Sequence, residues 1–379
     1  MKSDSDSFSA TDHIMMSRAL RLAERGLYTA QPNPRVGCVI ARGGEIVGEG
    51  WHQRAGEPHA EVLALRVAST DARGATAYVT LEPCAHFGRT PPCADALVEA
   101  GVSRVVVASQ DPNPHTNGSG LRRLREAGIE VHSCLMHEAA RELNRGFFSR
   151  LERDRPWVRV KLAMSLDGRT ALANGESKWI TSGAARADVQ RWRARSSAIL
   201  AGATTARMDD PRLTVRLLES HSQPDARPGE GIKPLRVVLD AQLDALAPSA
   251  HLLDGTAPTL VLHAPGAQPP DQRYARAELA TCAVGAQGRF DLAELMRLLA
   301  QREINELQVE AGPRLCGVLF EAGLVDELLL YIAPVLLGDQ ARPLLHLSPL
   351  AHMLDRKALR AVDQRRIGED MRLLLRPTV

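Results

Sequence analysis

Long apolar runs are absent from this chain. No stretch approaches the ~20 residues a helix needs to cross a bilayer, so a membrane-embedded role is set aside. Aromatic residues are scarce at 4%, against 44% hydrophobic overall, so the cores should be aliphatic. A charge excess is missing too: 47 basic and 45 acidic residues leave a formal net charge of +2. Domains that live on nucleic acid carry a clear basic excess, and the near balance argues against that class. Cysteines are few and unevenly spaced, at Cys38, Cys84, Cys93, Cys134, Cys282 and Cys316. That is not a disulfide framework. It fits a reducing cytoplasm in which some thiols are free to bind metal. Met1 to Ala10, rich in Ser and Asp without an apolar centre, is not a secretory signal and reads as a disordered tail.

What is present is an α/β pattern, twice over. The 379 residues suggest two or three domains. His13 to Arg25 carries a helical apolar stripe stopped by Gly26. Val36 to Ala41 and Glu45 to Trp51 flank Gly43-Gly44 and predict a hairpin. A helix follows Pro58, over His59 to Ala68, then a buried strand over Ala77 to Leu81. Pro91-Pro92 opens a helix that Gly101 ends. Val105 to Ala108 reads as a strand, Leu121 to Ala127 as a helix, Ile129 to Val131 as extended, and His137 to Arg150 as one helix. The charged run Glu152-Arg153-Asp154-Arg155-Pro156 marks a seam. Beyond it, Val158 to Leu162, Ala198 to Ala201, Leu235 to Leu239, Thr259 to His263 and Leu307 to Glu310 read as strands. Ala184 to Ala194, Leu292 to Gln301 and Leu315 to Ala322 read as helices, and 219–234 and 264–273 as loops. The expected division is a tail over 1–10, a first domain over 11–153 and a second over 154–379.

Chemistry is concentrated in His59-Ala60-Glu61, Pro83-Cys84 and Pro92-Cys93. One imidazole and two thiolates give zinc three ligands and leave a fourth position for water. Zinc lowers the pKa of that water toward neutrality, and a carboxylate beside the metal must then move protons. Glu61, two residues from His59, is placed for that. His-x-Glu followed by Pro-Cys and a second Cys is the zinc deaminase pattern, in which hydroxide attacks a ring carbon and ammonia leaves. A structural zinc with Cys38 or Cys134 as fourth ligand is the plainer alternative. Eight residues separate Cys84 from Cys93, where nucleic-acid deaminases have two. The insert holds His86, Arg89 and Thr90, groups suited to a small polar or phosphorylated molecule.

The run Pro83 to Cys93, with Pro32-Asn33-Pro34-Arg35-Val36-Gly37 upstream, resembles the bifunctional deaminase-reductase family of bacterial riboflavin biosynthesis. Lys161 to Arg169, Asp209 to Arg216 and Glu310-Ala311-Gly312-Pro313 resemble the family's later motifs, so the likeness covers roughly 12 to 378. It implies a cytidine-deaminase-like three-layer domain followed by a dihydrofolate-reductase-like domain. The first would deaminate 2,5-diamino-6-ribosylamino-4(3H)-pyrimidinone 5′-phosphate. The second would reduce the ribosyl group of the product to ribityl with NADPH. It also implies zinc on His59, Cys84 and Cys93, proton transfer by Glu61, and substrate contacts at Asn33, His52, His86 and Arg89. A homo-oligomer is a further expectation by resemblance, with no nucleic-acid or membrane partner.

In the second half no Gly-x-Gly-x-x-Gly follows a strand, so a Rossmann fingerprint is lacking. Val309-Glu310-Ala311-Gly312-Pro313 instead predicts a strand entering a helix whose free N–H groups suit phosphate. The resemblance places NADPH along Gly312, Pro313, Arg314, Leu315, Cys316, Gly317 and Val318, and near Ala163, Trp179, Thr205, Asp209 and Ala241. It places substrate at Ser177, Arg193, Leu213, Arg216 and Glu310. Arg193 and Arg216 suit phosphate, which guanidinium binds bidentately. Lys161, on an apolar strand, needs a partner and is the candidate catalytic residue. Asp209 and Glu310 are the two acids that could serve it. Two other readings stand beside this one: a zinc-stabilised nucleotide-binding module without catalysis, and a nucleic-acid deaminase fused to an unrelated domain.

Overall fold

The computed structural model describes residues 8–87, 91–114, 116–216, 233–285 and 288–378. The chain divides between Arg153 and Asp154 into two compact units. The expected tail lies, for residues 1–7, outside the described residues. Its last part is not a tail, because Ser9 caps the first helix, α1 (Ala10–Glu24). The Ser9 hydroxyl accepts from the Asp12 N–H, and Asp12 reaches back to the Ser9 N–H at 2.9 Å, a reciprocal capping box.

In the first unit five strands form one sheet: β1 (Gly37–Arg42), β2 (Glu45–Trp51), β3 (Thr76–Val79), β4 (Arg104–Val107) and β5 (Glu130–Ser133). Their order is β2-β1-β3-β4-β5, antiparallel through β3 and parallel beyond it. One face packs on α1, through Met16 and Ala19 against Val39 and Val106. The other is covered by α2 (Ala60–Ala68), α3 (Cys93–Ala100) and α4 (Ser119–Glu126). The result is three layers with aliphatic cores, as the composition implied. Two glycines on β2 let α2 lie directly on the sheet. A Cβ on Gly48 would sit 2.3 Å from the Ala64 carbonyl oxygen, and one on Gly50 2.3 Å from that of Ala60.

The single helix expected over His137 to Arg150 is two, α5 (His137–Leu143) and α6 (Arg145–Arg153). The break falls at buried Asn144, whose amide pairs with the Arg35 backbone in both directions, at 2.8 and 2.9 Å. That pairing anchors the segment that carries Asn33.

The second unit is built on a nine-stranded sheet. In chain order its elements are β6 (Trp157–Ser165), β7 (Arg169–Ala171), α7 (Gly183–Ala194), β8 (Ala198–Gly202), α8 (Ala203–Asp209), β9 (Leu235–Leu239), β10 (Thr259–His263) and β11 (Glu278–Thr281). Then follow α9 (Leu292–Gln301), β12 (Glu306–Val309), α10 (Pro313–Glu321), β13 (Glu327–Ala333), β14 (Arg342–Pro343), β15 (Leu359–Ile367) and β16 (Asp370–Pro377). The strand order is β11-β10-β9-β8-β12-β6-β13-β16-β15, parallel from β11 to β13 and closed by an antiparallel pair. β7 and β14 pair separately. The main core joins β6, β8 and β12 to α9 and α10. Ligands bind such sheets at the carboxyl ends of the parallel strands, and Glu310 follows β12 there.

Candidate functional sites

His59 is the N-cap of α2, its backbone extended at φ −72° and ψ 165°. Cys93 opens α3, and Cys84 lies in the segment between β3 and α3. His59 Nδ1 lies 3.2 Å from Cys93 Sγ and 3.7 Å from Cys84 Sγ, and all three ligand atoms fall within 4.8 Å of one another. A tetrahedral zinc with bonds of about 2.0–2.3 Å needs its ligands roughly 3.5–3.8 Å apart. The set therefore fits zinc, and its thiolate and imidazole donors suit that metal. Interaction with Cys93 pulls the Cys84 thiol well below its ordinary range, while Cys84 and burial push Cys93 above it.

Glu61 stands in the first turn of α2, 3% exposed, and its Oε2 has no hydrogen-bond partner among the described residues. Burial pushes its carboxyl up to about 7, against the pull of His59. A buried carboxyl near neutrality, with one oxygen unpaired beside the His-Cys-Cys set, is suited to take a proton and return it.

His52 is buried, and burial lowers its pKa to about 4, leaving it neutral. Its Nδ1 is 3.3 Å from the Pro58 carbonyl, which makes Nδ1 the donor and Nε2 the acceptor. Asn33 Nδ2 donates to that Nε2 at 3.1 Å, leaving the Asn33 oxygen free to recognise a ring amine. His86 is exposed, and Arg89 lies outside the described residues.

Sequence reasoning passed over Glu82. This buried carboxylate accepts from the backbone N–H groups of Asp111, Gly118, Gly120 and Leu121 at 2.9–3.3 Å, tying the Pro83-Cys84 segment to the start of α4. An acid two residues before a Cys ligand, at the end of an apolar strand, was the available signal.

In the second unit Glu310 is gripped by Arg193 on α7, which donates from Nε and Nη2 at 2.7 and 2.8 Å. Gln308 Nε2 donates to the same carboxylate at 2.9 Å. Burial opposes ionisation, but Arg193 overcomes it and holds Glu310 down to about 2. Of the two acids that could serve Lys161, it is Glu310 that acts on its ammonium. Burial lowers the Lys161 pKa, Glu310 raises it and Arg193 lowers it further. Asp209 feels Lys178 and Arg342 instead.

Arg193 was expected to meet phosphate, but most of its donors are engaged, with Nη1 bonded to the Thr214 carbonyl at 3.0 Å. Arg216 is exposed and lies in the field of Arg193 and Arg212. Leu213 is buried in left-handed backbone at φ 46°, so only its main chain is open to a ligand. Ser177 is half-buried, and Trp179 is 70% exposed with the Arg186 guanidinium 4.5 Å from its ring. Thr205 lies in α8, Ala163 in β6, and Ala241 just after β9.

Gly312 caps α10, and nothing lies within 4 Å of a Cβ placed on it. Pro313 has no N–H, and the Cys316 N–H is bonded to the Gly312 carbonyl. The free amides of the first turn are therefore those of Arg314 and Leu315, the donors a phosphate would meet. Cys316 and Gly317 are buried, and a Cβ on Gly317 would meet the His346 carbonyl oxygen at 1.8 Å. The smallness of Gly317 thus serves packing. Val318 is one turn further in.

A three-layer sheet with a His-Cys-Cys set and an adjacent buried Glu, joined to a parallel sheet with a helix N-terminus at its carboxyl edge, defines a zinc deaminase fused to a reductase. Residues 9–109 match the cytidine and deoxycytidylate deaminase zinc-binding region, and residues 156–373 match the RibD C-terminal domain. The Escherichia coli (strain K12) riboflavin biosynthesis protein RibD is 49% identical over 366 residues, 96% of this chain and 99% of that protein. Among solved structures, Acinetobacter baumannii RibD superposes with TM-score 0.88 at 43% identity, covering 97% and 99% of the two chains. A Thermotoga maritima diaminohydroxyphosphoribosylaminopyrimidine deaminase/5-amino-6-(5-phosphoribosylamino)uracil reductase gives TM-score 0.83 at 31% identity over the same shares. The chain belongs to the RibD family of bifunctional deaminase-reductases of riboflavin biosynthesis. Both activities have their domain here, and the likeness spans the seam, which removes the nucleic-acid deaminase with an unrelated partner and the non-catalytic module. No helix among the described residues is long and apolar enough to cross a membrane.

Proposed function

We propose that the first unit hydrolyses 2,5-diamino-6-ribosylamino-4(3H)-pyrimidinone 5′-phosphate to 5-amino-6-(5-phosphoribosylamino)uracil and ammonia. The second unit then reduces the ribosyl group to ribityl at the expense of NADPH. The observation that carries the reading is Glu61 Oε2, buried and unpaired beside His59, Cys84 and Cys93. Zinc held by those three would supply an activated water at neutral pH. Glu61 takes a proton from that water and delivers it to the departing amino group. Asn33, held by neutral His52, presents its oxygen to the ring, and His86 and Arg89 stand on the insert between the cysteines.

In the second unit NADPH would supply hydride to C1′ of the opened ribose. Glu310, held ionised by the Arg193 fork, is a fixed negative charge that favours the ammonium of Lys161, the group we assign as proton donor to the ring oxygen. Arg314 and Leu315 offer amides to a cofactor phosphate, and Arg216 offers its guanidinium to that of the substrate. Free thiols at all six cysteines fit a cytoplasmic enzyme. The family resemblance supports a homo-oligomer.

The test is Glu61→Gln. It should retain about one zinc per chain, release ammonia about 10²–10⁴-fold more slowly, and still oxidise NADPH when the deaminated compound is supplied. Wild-type ammonia release by this variant would overturn the deaminase mechanism. Failure of the wild type to oxidise NADPH with that compound, or equal use of NADH, would overturn the cofactor assignment.

A further inference from the structure

Arg216 is exposed, yet its backbone is held. The N–H of Arg216 donates to Gln190 Oε1 at 2.9 Å. Gln190 is 8% exposed and lies on α7, three residues before Arg193, so both side chains leave the same helix face. Arg193 Nη1 donates to the Thr214 carbonyl at 3.0 Å while its other edge holds Glu310. From the far side, Arg236 Nη1, on a fully buried side chain, donates to the Arg212 carbonyl at 3.4 Å. Leu213, between them, is turned into the core. Residues 212, 213, 214 and 216 are thus each held, and the last pin sits at Arg216. No sequence motif pointed to Gln190.

A long cationic side chain on free backbone samples many positions, and each ordering costs entropy when it binds an anion. Fixing the Cα removes part of that cost before the ligand arrives. We propose that Gln190 is a positioning residue that aims Arg216 at the 5′-phosphate of the reductase substrate without touching the ligand. The inference rests on the reading of Arg216 as the phosphate partner.

Gln190→Met keeps the side chain's length and removes the acceptor. Losing one such hydrogen bond corresponds to about a tenfold effect, expected in KM for the deaminated phosphate substrate, with kcat within about twofold. Amide hydrogen exchange at Arg216 should accelerate, while ammonia release by the first unit is unchanged. Arg216→Ala should raise KM further, and Gln190→Met added to Arg216→Ala should change nothing more. With the dephosphorylated compound, wild type and Gln190→Met should have the same KM. A silent Gln190→Met beside an impaired Arg216→Ala overturns the positioning role alone, as does a further loss in the double variant. A silent Arg216→Ala overturns the phosphate reading and the proposal with it. Should Gln190→Met fail to fold, Gln190→Asn withdraws the acceptor by one methylene and is read in the same way.

Discussion

Glu61 and Glu310 are both acids held largely away from water, and the protein treats them oppositely. Glu61 has an oxygen with no partner among the described residues and sits near pH 7. Glu310 is bound by a guanidinium fork and an amide and is held near pH 2. The residue type is the same, so the neighbours set the role. An unpartnered oxygen beside the His-Cys-Cys set suits the proton carrier proposed for Glu61, whereas the Arg clamp in the second unit holds its carboxylate ionised. On the proposed mechanism the deaminase uses a group that changes state during turnover, and the reductase one that stays charged beside Lys161.

Substitutions that exchange these two environments test the contrast. The largest effect should come from removing the metal set: His59→Ala, or exhaustive chelation, should abolish ammonia release and leave NADPH oxidation intact. Glu61→Gln should follow, lowering deamination by about 10²–10⁴-fold, the usual contribution of positioned acid–base catalysis, with zinc content unchanged by metal analysis. Arg193→Met makes Glu310 resemble Glu61. With the clamp gone, burial pushes the Glu310 carboxyl above its ordinary range. Reduction should then lose rate as pH falls through that raised pKa, at values where the wild type is flat. Breaking such a pair costs about 3–5 kcal/mol, visible as a lower Tm of the second unit.

The smallest effect is a linkage one. A depressed folded-state pKa contributes stability that is complete above the unfolded value of 4.5 and lost as pH falls through about 2. The stability gap between wild type and Glu310→Gln should therefore be full at pH 7 and close in strong acid. A gap independent of pH would mean that the pair does not hold Glu310 ionised.

How much was legible follows from where the information lies. The grouping of His59, Cys84 and Cys93, with Glu61 beside them, was readable because all four fall within 35 positions and His59 and Cys93 each stand at a helix start. Strands such as Leu235–Leu239 and Thr259–His263 announced themselves as short β-branched and leucine-rich runs. The antiparallel end of the second sheet did not. β15 is exposed along most of its length and rich in charge, so no buried period marks it. β13 begins at Glu327, a charge that the sequence gives no reason to bury. Arg159, fully buried on β6, pairs with it at 2.8 Å, 168 residues away. Distance also hid the grip of Arg193 on Glu310 and of Gln190 on Arg216. The first unit's break at Asn144 was missed for the same reason, since the helical pattern continues through it and only Arg35 explains the interruption.

Gly48 and Gly50 give the deaminase half a gauge as well as a seat for α2. Because helix backbone rests on strand backbone there, no side chain can relax to absorb a change in spacing. An added methyl group, 2.3 Å from a carbonyl oxygen, would have to lift α2 by about 1 Å, and misplacing catalytic groups by that much costs about 10²-fold in rate. At Gly50 His59 and Glu61 ride on the lifted end, so the proposed ligand and proton carrier would move together, away from Cys84 and Cys93. On the proposed function, an engineer seeking new substrates should rewrite the insert between the cysteines and leave the helix seat untouched. Random mutagenesis of this half should return its altered specificities from that insert and its dead enzymes from two glycines that touch no substrate.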